Sequence, residues 1–207
     1  MNIYALSSGR GPSGIAIVRI SGKDTLKICK NLTKLKEINS NEVNYCKFYD
    51  PKNDKVIDPE ALLLWFRRPN SYTGEDLAEF QVHGSNAVIN ALLKVLSEQN
   101  NCKLAEPGEF TKIAFQNDKI NLLKAESIGD LIASETEIQR KQALRIMSGK
   151  SSDKFNYWRE ALVKILSNLE AKIDFPDEDL PSNILGNIKA SSEKVKQEIK
   201  KTLEDSK

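Results

Sequence analysis

An α+β fold, a mixed-sheet domain followed by an all-α segment, is what this sequence predicts, and three observations point to it. Seven of the ten glycines and five of the seven prolines precede Asp118, where they punctuate short β-branched and apolar runs as turns punctuate strands. Beyond Asp118 glycine nearly disappears and charged residues rise from about a quarter to about a third of positions. Apolar residues there step by three or four, the period of an amphipathic helix. A length of 207 residues admits one large domain or two small ones, and the change of texture divides it into 1–118 and 119–207.

In the first part, residues 14–20 (GIAIVRI) form a β-branched run that reads as a strand, with a helix over 21–32 after it. Residues 45–50 read as a strand, 51–55 as a turn, and 61–66 (ALLLWF) as a strand buried on both faces, because its apolar run does not alternate. Residues 77–82 are a further strand. Ser85 is placed to cap a helix whose Val88, Ile89, Leu92, Leu93, Val95 and Leu96 recur at helical spacing, and Pro107 opens a shorter helix through Phe115. In the second part, Asn121 caps one helix carrying Ile128, Leu131, Ile132, Ala143, Leu144 and Met147, which Gly149 ends. Asp153 caps the next, with Phe155, Trp158, Leu162, Ile165, Leu166, Leu169 and Ile173 in the most regular stripe of the chain. An acidic break at 174–179 precedes a weaker helix with Ile188, Val195, Ile199 and Leu203, which runs to Lys207 without a glycine or proline stop. That unterminated helix leads us to expect that the natural architecture continues beyond it.

Composition narrows the function. Apolar residues at 40%, charged residues at 29% and a net charge of +2 describe an ordinary globular chain, with +1 in each part, so neither is a polyanion-binding arm. No apolar run approaches the roughly 20 residues of a bilayer span and no secretion signal opens the chain, so a cytoplasmic location with no membrane is expected. Cys29, Cys46 and Cys102 contain no Cys-x-x-Cys and suggest neither a disulfide framework nor a zinc site. His83 is the only histidine, which removes multi-histidine metal sites.

The motifs divide into empty and informative ones. Gly9-Arg-Gly-Pro-Ser-Gly14 matches G-x-G-x-x-G, but a strand follows it where a dinucleotide site needs a helix, and Pro12 removes an amide donor. Gly149-Lys-Ser151 resembles the end of a phosphate loop, yet the pattern requires glycine where Leu144 stands. Arg19 shares a strand face with Ile15 and Ile17, so its guanidinium needs a carboxylate or phosphate partner, supplied by an internal salt bridge or by a ligand. Glu79 shares a face with Leu77 and Gln81, and alternation alone makes it solvent-facing. His83, at a strand end, reads as a hydrogen-bonded structural residue rather than a catalyst. The acidic break lacks the glycine and spacing of a calcium loop and reads as a connector.

Taken together, Gly9-Arg-Gly11 with residues 14–22 (GIAIVRISG), residues 69–76 (PNSYTGED), His83-Gly84, residues 107–111 (PGEFT), Asn117-Asp-Lys119, Ala125-Glu126 and residues 174–178 (DFPDE) resemble the N-terminal part of the MnmE (TrmE) family of tRNA modification GTPases. The resemblance implies an opening α/β domain that dimerises and is similar to the tetrahydrofolate-binding domain of aminomethyltransferases, followed by a helical domain. In that family a Ras-like G domain is inserted in the helical domain and the final helices end in a Cys-x-Gly-Lys tail. This chain carries neither, so GTP, magnesium and potassium are expected to belong to the full-length protein only.

The reaction so implied installs a carboxymethylaminomethyl or aminomethyl group at carbon 5 of the wobble uridine of tRNA, together with the flavoprotein MnmG. A 5-formyl- or 5,10-methylenetetrahydrofolate supplies the one-carbon unit, and NADH and FAD serve the redox steps. The family's folate contacts fall here on Arg19, Glu79 and Lys119, while a further contact from the C-terminal tail has no counterpart. A carboxylate can accept two hydrogen bonds from a pterin edge, and cations suit the folate's carboxylates. Two other readings stay open: a dimerising, partner-docking scaffold without a ligand, and a stand-alone folate-dependent aminomethyltransferase.

Overall fold

The computed structural model describes residues 1–9, 11–174 and 183–204. Arg10, most of the acidic break, most of the DFPDE motif and the three residues closing on Lys207 lie outside the described residues. The chain divides into two compact units, residues 1–125 and 126–207, and the architecture is α+β.

The first unit is built on one six-stranded sheet of order β3-β4-β5-β2-β1-β6. Its strands are β1 (Asn2–Leu6), β2 (Ser13–Ser21), β3 (Val43–Tyr49), β4 (Val56–Phe66), β5 (Leu77–Gly84) and β6 (Cys102–Leu104). The sheet is mixed because β6 runs parallel to β1 while all other pairings are antiparallel. Helices α1 (Thr25–Thr33) and α2 (Asn86–Ser97) cover one face. Ile28, Cys29 and Leu32 from α1 and Ile89, Leu92, Val95 and Leu96 from α2 pack on Val18, Ile20, Phe48, Leu63, Ala78 and Phe80. Ser85 caps α2 as expected, its hydroxyl accepting from the Val88 N–H.

Several expectations are corrected. The strand of residues 14–20 continues through Ser21, so α1 begins only at Thr25. The turn between them brings Gly22 against β1: at φ +143°, a Cβ there would lie 2.7 Å from the Asn2 Cα, a space only glycine leaves. Buried Asn2 then ties β1 to the start of α1, donating to Asp24 Oδ2 at 3.0 Å and accepting the Asp24 N–H at 2.9 Å. Residues 61–66 are not equally buried on both faces: Ala61, Leu63 and Trp65 are buried while Leu62, Leu64 and Phe66 are only half covered. The helix expected from Pro107 starts at Glu109, as α3 (Glu109–Gln116).

The buried cysteines give a testable consequence. Burial pushes the Cys29 thiol far up, reinforced by neighbouring Cys46, and pushes Cys46 up to about 11. Both should therefore resist iodoacetamide at pH 8 in the folded protein and react at once in denaturant, whereas equal labelling in both states would contradict the packing. The fold holds these protons more tightly than the unfolded chain. Stability from them is thus complete below the unfolded thiol pKa of about 8.5 and falls as pH rises through that value toward the folded one.

The second unit is helical. The single helix expected over 121–149 is two, α4 (Leu122–Ala133) and α5 (Glu137–Met147). Asn121 does cap the first, accepting the Lys124 N–H at 2.9 Å. The second starts at a capping box, Thr136 accepting from the Gln139 N–H while Gln139 accepts from the Thr136 N–H. Helix α6 (Lys150–Asp174) begins three residues before the expected cap, leaving Asp153 in its first turn, and α7 (Ile184–Glu204) follows. Lys154 reaches Thr202 at 2.6 Å and the Trp158 indole donates to Glu198 at 2.9 Å, a descending pairing that makes α6 and α7 antiparallel. No helix among the described residues is long and apolar enough to cross a membrane.

Candidate functional site

Alternation along a strand places Arg19 and Glu79 on the face of the sheet turned away from α1 and α2, with Ile17 and Gln81 beside them. The register sets Arg19 directly opposite Glu79, with Leu64 on the far side of Glu79 and Ala5 on the far side of Arg19. Cover on this face fades along the strands. Ile3, Ser21 and Leu77 are buried at one end, while Ile15 at the other is 64% exposed. Arg19 and Glu79 stand at the boundary, with side chains 27% and 20% exposed.

The cover comes from the 69–76 loop and from α3. Ser21 and Thr73 share a hydrogen bond at 2.7 Å, and Ser21 also donates to Glu75 at 3.2 Å. The Arg19 guanidinium lies 5.5 Å from the Tyr72 ring and 5.6 Å from the Phe110 ring of α3, and Tyr72 bonds Thr111 at 2.8 Å. Near these two rings and partly withdrawn from water, the cation is balanced by the Glu79 carboxylate as well as by solvent. Arg19 donates through Nε at 3.1 Å and Nη2 at 2.8 Å, both to Glu79 Oε1. Among the described residues nothing donates to Glu79 Oε2 and nothing accepts from Arg19 Nη1, so the pair retains one acceptor and one donor for a further partner.

The structure thus joins two of the three expected site residues. Lys119 follows α3 and lies on the same 69–76 loop, its Nζ donating to the Pro69 carbonyl at 2.9 Å. Its stem passes over Gly74, where φ is +78° and a Cβ would meet the Lys119 Cγ at 3.2 Å. Lys119 lines a cavity of about 650 Å³ whose other walls include Lys23, Arg68, Glu75, Asp76 and Asn117, and neither Arg19 nor Glu79 lines it. One loop therefore presents Tyr72 to Arg19 and Pro69 to Lys119.

Solvent-facing Glu79 is corrected to half-buried Glu79. Alternation gives its face correctly, but the cover arrives from residues distant in sequence. Missed from sequence altogether are Tyr72 and Phe110, whose signal was their place in the motifs PNSYTGED and PGEFT. His83 is structural in its contacts: buried Asp58 accepts its backbone N–H at 2.7 Å and approaches its Nδ1 at 3.0 Å. Among the described residues no cluster of three or more His, Cys, Asp or Glu could hold a metal ion.

Comparison with known proteins bears on what this arrangement serves. The family model described as "GTP-binding protein TrmE N-terminus" matches residues 2–119, and the model of the MnmE helical domain matches residues 122–207. The chain belongs to the MnmE family. It is 61% identical over its full length to the tRNA modification GTPase MnmE of Pelagibacter ubique (strain HTCC1062), covering 46% of that protein. Over 203 residues, 98% of the chain, it is 43% identical to the protein of the same name from Rickettsia canadensis (strain McKiel), covering 45% of it, and 40% identical to that from Parvibaculum lavamentivorans (strain DS-1 / DSM 13023 / NCIMB 13966), covering 46%. The chain spans about half the length of these curated relatives. Within an MnmE-family chain, the Arg19–Glu79 pair belongs to the TrmE N-terminal portion, as does Lys119.

Proposed function

We propose that residues 1–118 are the tetrahydrofolate-binding, dimerising domain, and residues 119–207 the first helices of the helical domain, of a cytoplasmic tRNA modification GTPase that modifies carbon 5 of the wobble uridine. The observation that carries the folate reading is the half-buried Arg19–Glu79 pair, whose guanidinium lies near the Tyr72 and Phe110 rings and whose Glu79 Oε2 and Arg19 Nη1 have no partner among the described residues. The amino and imino N–H groups of a pterin ring suit such a carboxylate, its carbonyl suits the guanidinium, and the flanking rings suit its flat faces. Lys119 completes the set as a cation for the folate's carboxylates. The folate, as 5-formyl- or 5,10-methylenetetrahydrofolate, supplies the one-carbon unit; these residues bind and orient it.

In the whole protein, GTP hydrolysis with magnesium and potassium is carried outside these residues, which contain no phosphate loop. The partners on this reading are MnmG, with its FAD and NADH, and tRNA. Calorimetry with 5-formyltetrahydrofolate tests the ligand. Saturable binding is the expected result, and its absence would leave the scaffold reading.

Dimerisation has its own support. Beyond the Arg19–Glu79 pair the uncovered sheet face carries Ile15, Val43 and Tyr45, all more than half exposed, with Leu62 and Leu64 half covered beside them. The apolar patch of Val43, Tyr45, Leu62 and Leu64 at the open edge strand β3 is suited to a second copy of this chain. Light scattering at micromolar concentration should give a dimer that Val43→Lys with Tyr45→Lys converts to monomer. A monomeric parent chain would overturn the proposal.

A further inference from the structure

We infer that the cavity lined by Lys23, Arg68 and Lys119 receives a poly-γ-glutamate chain, the anionic tail by which reduced folates are extended; this rests on the folate reading above. Three cations converge on one cavity of about 650 Å³, and among the described residues none of them forms an ion pair. Three acids share these walls with the three cations: Glu75 accepts from Ser21, Asp76 accepts the Arg68 backbone N–H at 2.9 Å, and Asp118 precedes Lys119 in the chain. Asn117 donates to the Thr73 carbonyl at 2.7 Å and so holds the wall in place. A γ-glutamyl chain presents one carboxylate and one amide N–H per unit, which walls carrying cations, carboxylates and side-chain amides can pair.

The position agrees with the chemistry. Arg19 and Ser21 are two residues apart on one strand face, about 7 Å by the strand rise. Ser21 contacts Glu75, a wall of the cavity, at 3.2 Å. A pterin at the Arg19–Glu79 pair therefore leaves its p-aminobenzoyl linker to bridge to the cavity mouth over the loop, and the glutamate end arrives beside Lys119. Additional glutamates then meet Lys23 and Arg68, which the pterin does not touch.

Calorimetric titration of 5-formyltetrahydrofolate bearing one and three glutamates, into the chain and into Lys23→Ala with Arg68→Ala, tests this. The triglutamate should bind the parent chain about tenfold more tightly, the sum of two or three partly exposed ion pairs. The double variant should lose that gain while holding the monoglutamate as before, and Lys23→Arg with Arg68→Lys should restore it. Both replaced side chains are exposed, so unchanged thermal unfolding is expected to accompany the loss. Equal affinity of the parent for both ligands, or a gain that survives the double variant, overturns the inference and leaves the folate reading standing. Failure of both ligands to bind the parent overturns the two together.

Discussion

Glu79→Ala should weaken 5-formyltetrahydrofolate binding by at least about 30-fold while leaving the melting temperature almost unchanged. The split follows from where the pair sits. As a contribution to folding, an ion pair with side chains 27% and 20% exposed is worth no more than about 1 kcal/mol, because water still screens it. As a contribution to binding, a ligand that closes over the pair removes that water. Truncation then deletes the acceptor of two hydrogen bonds and leaves the Arg19 guanidinium between Tyr72 and Phe110 with no counter-charge. Charge-assisted bonds of this kind are worth about 2–3 kcal/mol once desolvated, or roughly 30- to 150-fold in affinity. Glu79→Gln should lose less, about tenfold, since it keeps the shape but exchanges one acceptor for a donor. Arg19→Ala should match Glu79→Ala, and His83→Gln, on a residue held by Asp58, should bind like the parent. Calorimetry on the four variants decides it: a Glu79→Ala chain that binds normally rejects the contact, and one that binds weakly but also melts far lower reports a folding defect.

How far the sequence foretells this site depends on the range of the interaction. Local patterns read well: the Ser85 cap, the helical spacing in α2 and the apolar face of β5 all stand in the structure as alternation and period imply. Short elements without flanking signals do not. β1 has five residues at the chain start and β6 has three, and both owe their place to neighbours: β1 to Asn2 on Asp24, β6 to its parallel pairing with β1. The break between α4 and α5 is written locally as Thr136-x-x-Gln139, inside the gap from Ile132 to Ala143 that a single expected helix spans, and only the capping box marks it. Arg19 and Glu79 show the limit. Each strand face follows from alternation, but their direct opposition depends on the register of strands 60 residues apart, and their burial on a loop and a helix from elsewhere. Lys119 carries no local signal at all, and only the motif resemblance singles it out.

The other large effect is expected on the opposite side of the same strand. Phe80 is fully buried and meets Phe48 edge to face, ring centroids 5.2 Å apart and planes at 77°. It is opposite Val18 on β2 and Leu63 on β4, beneath the helices α1 and α2. Phe80→Ala removes an aromatic side chain from a packed layer that cannot collapse, because strands fix it on both sides, so a cost of about 3–5 kcal/mol is expected. Against a total of about 5–15 kcal/mol for a domain, that lowers the melting temperature of the first unit by roughly 10–25 °C. Phe80→Leu, which keeps most of the volume, should cost under about 1.5 kcal/mol. The effect reaches the site because Phe80 adjoins Glu79 on β5: once the strand loosens, the register that holds Glu79 opposite Arg19 is no longer enforced by the core. Folate affinity of Phe80→Ala should therefore fall as temperature approaches its lowered melting point, while the parent at the same temperature still binds. Thermal unfolding followed by circular dichroism, with calorimetry at two temperatures, checks both parts. A drop of only a few degrees would show that the layer under α1 and α2 is not what holds β5 in register.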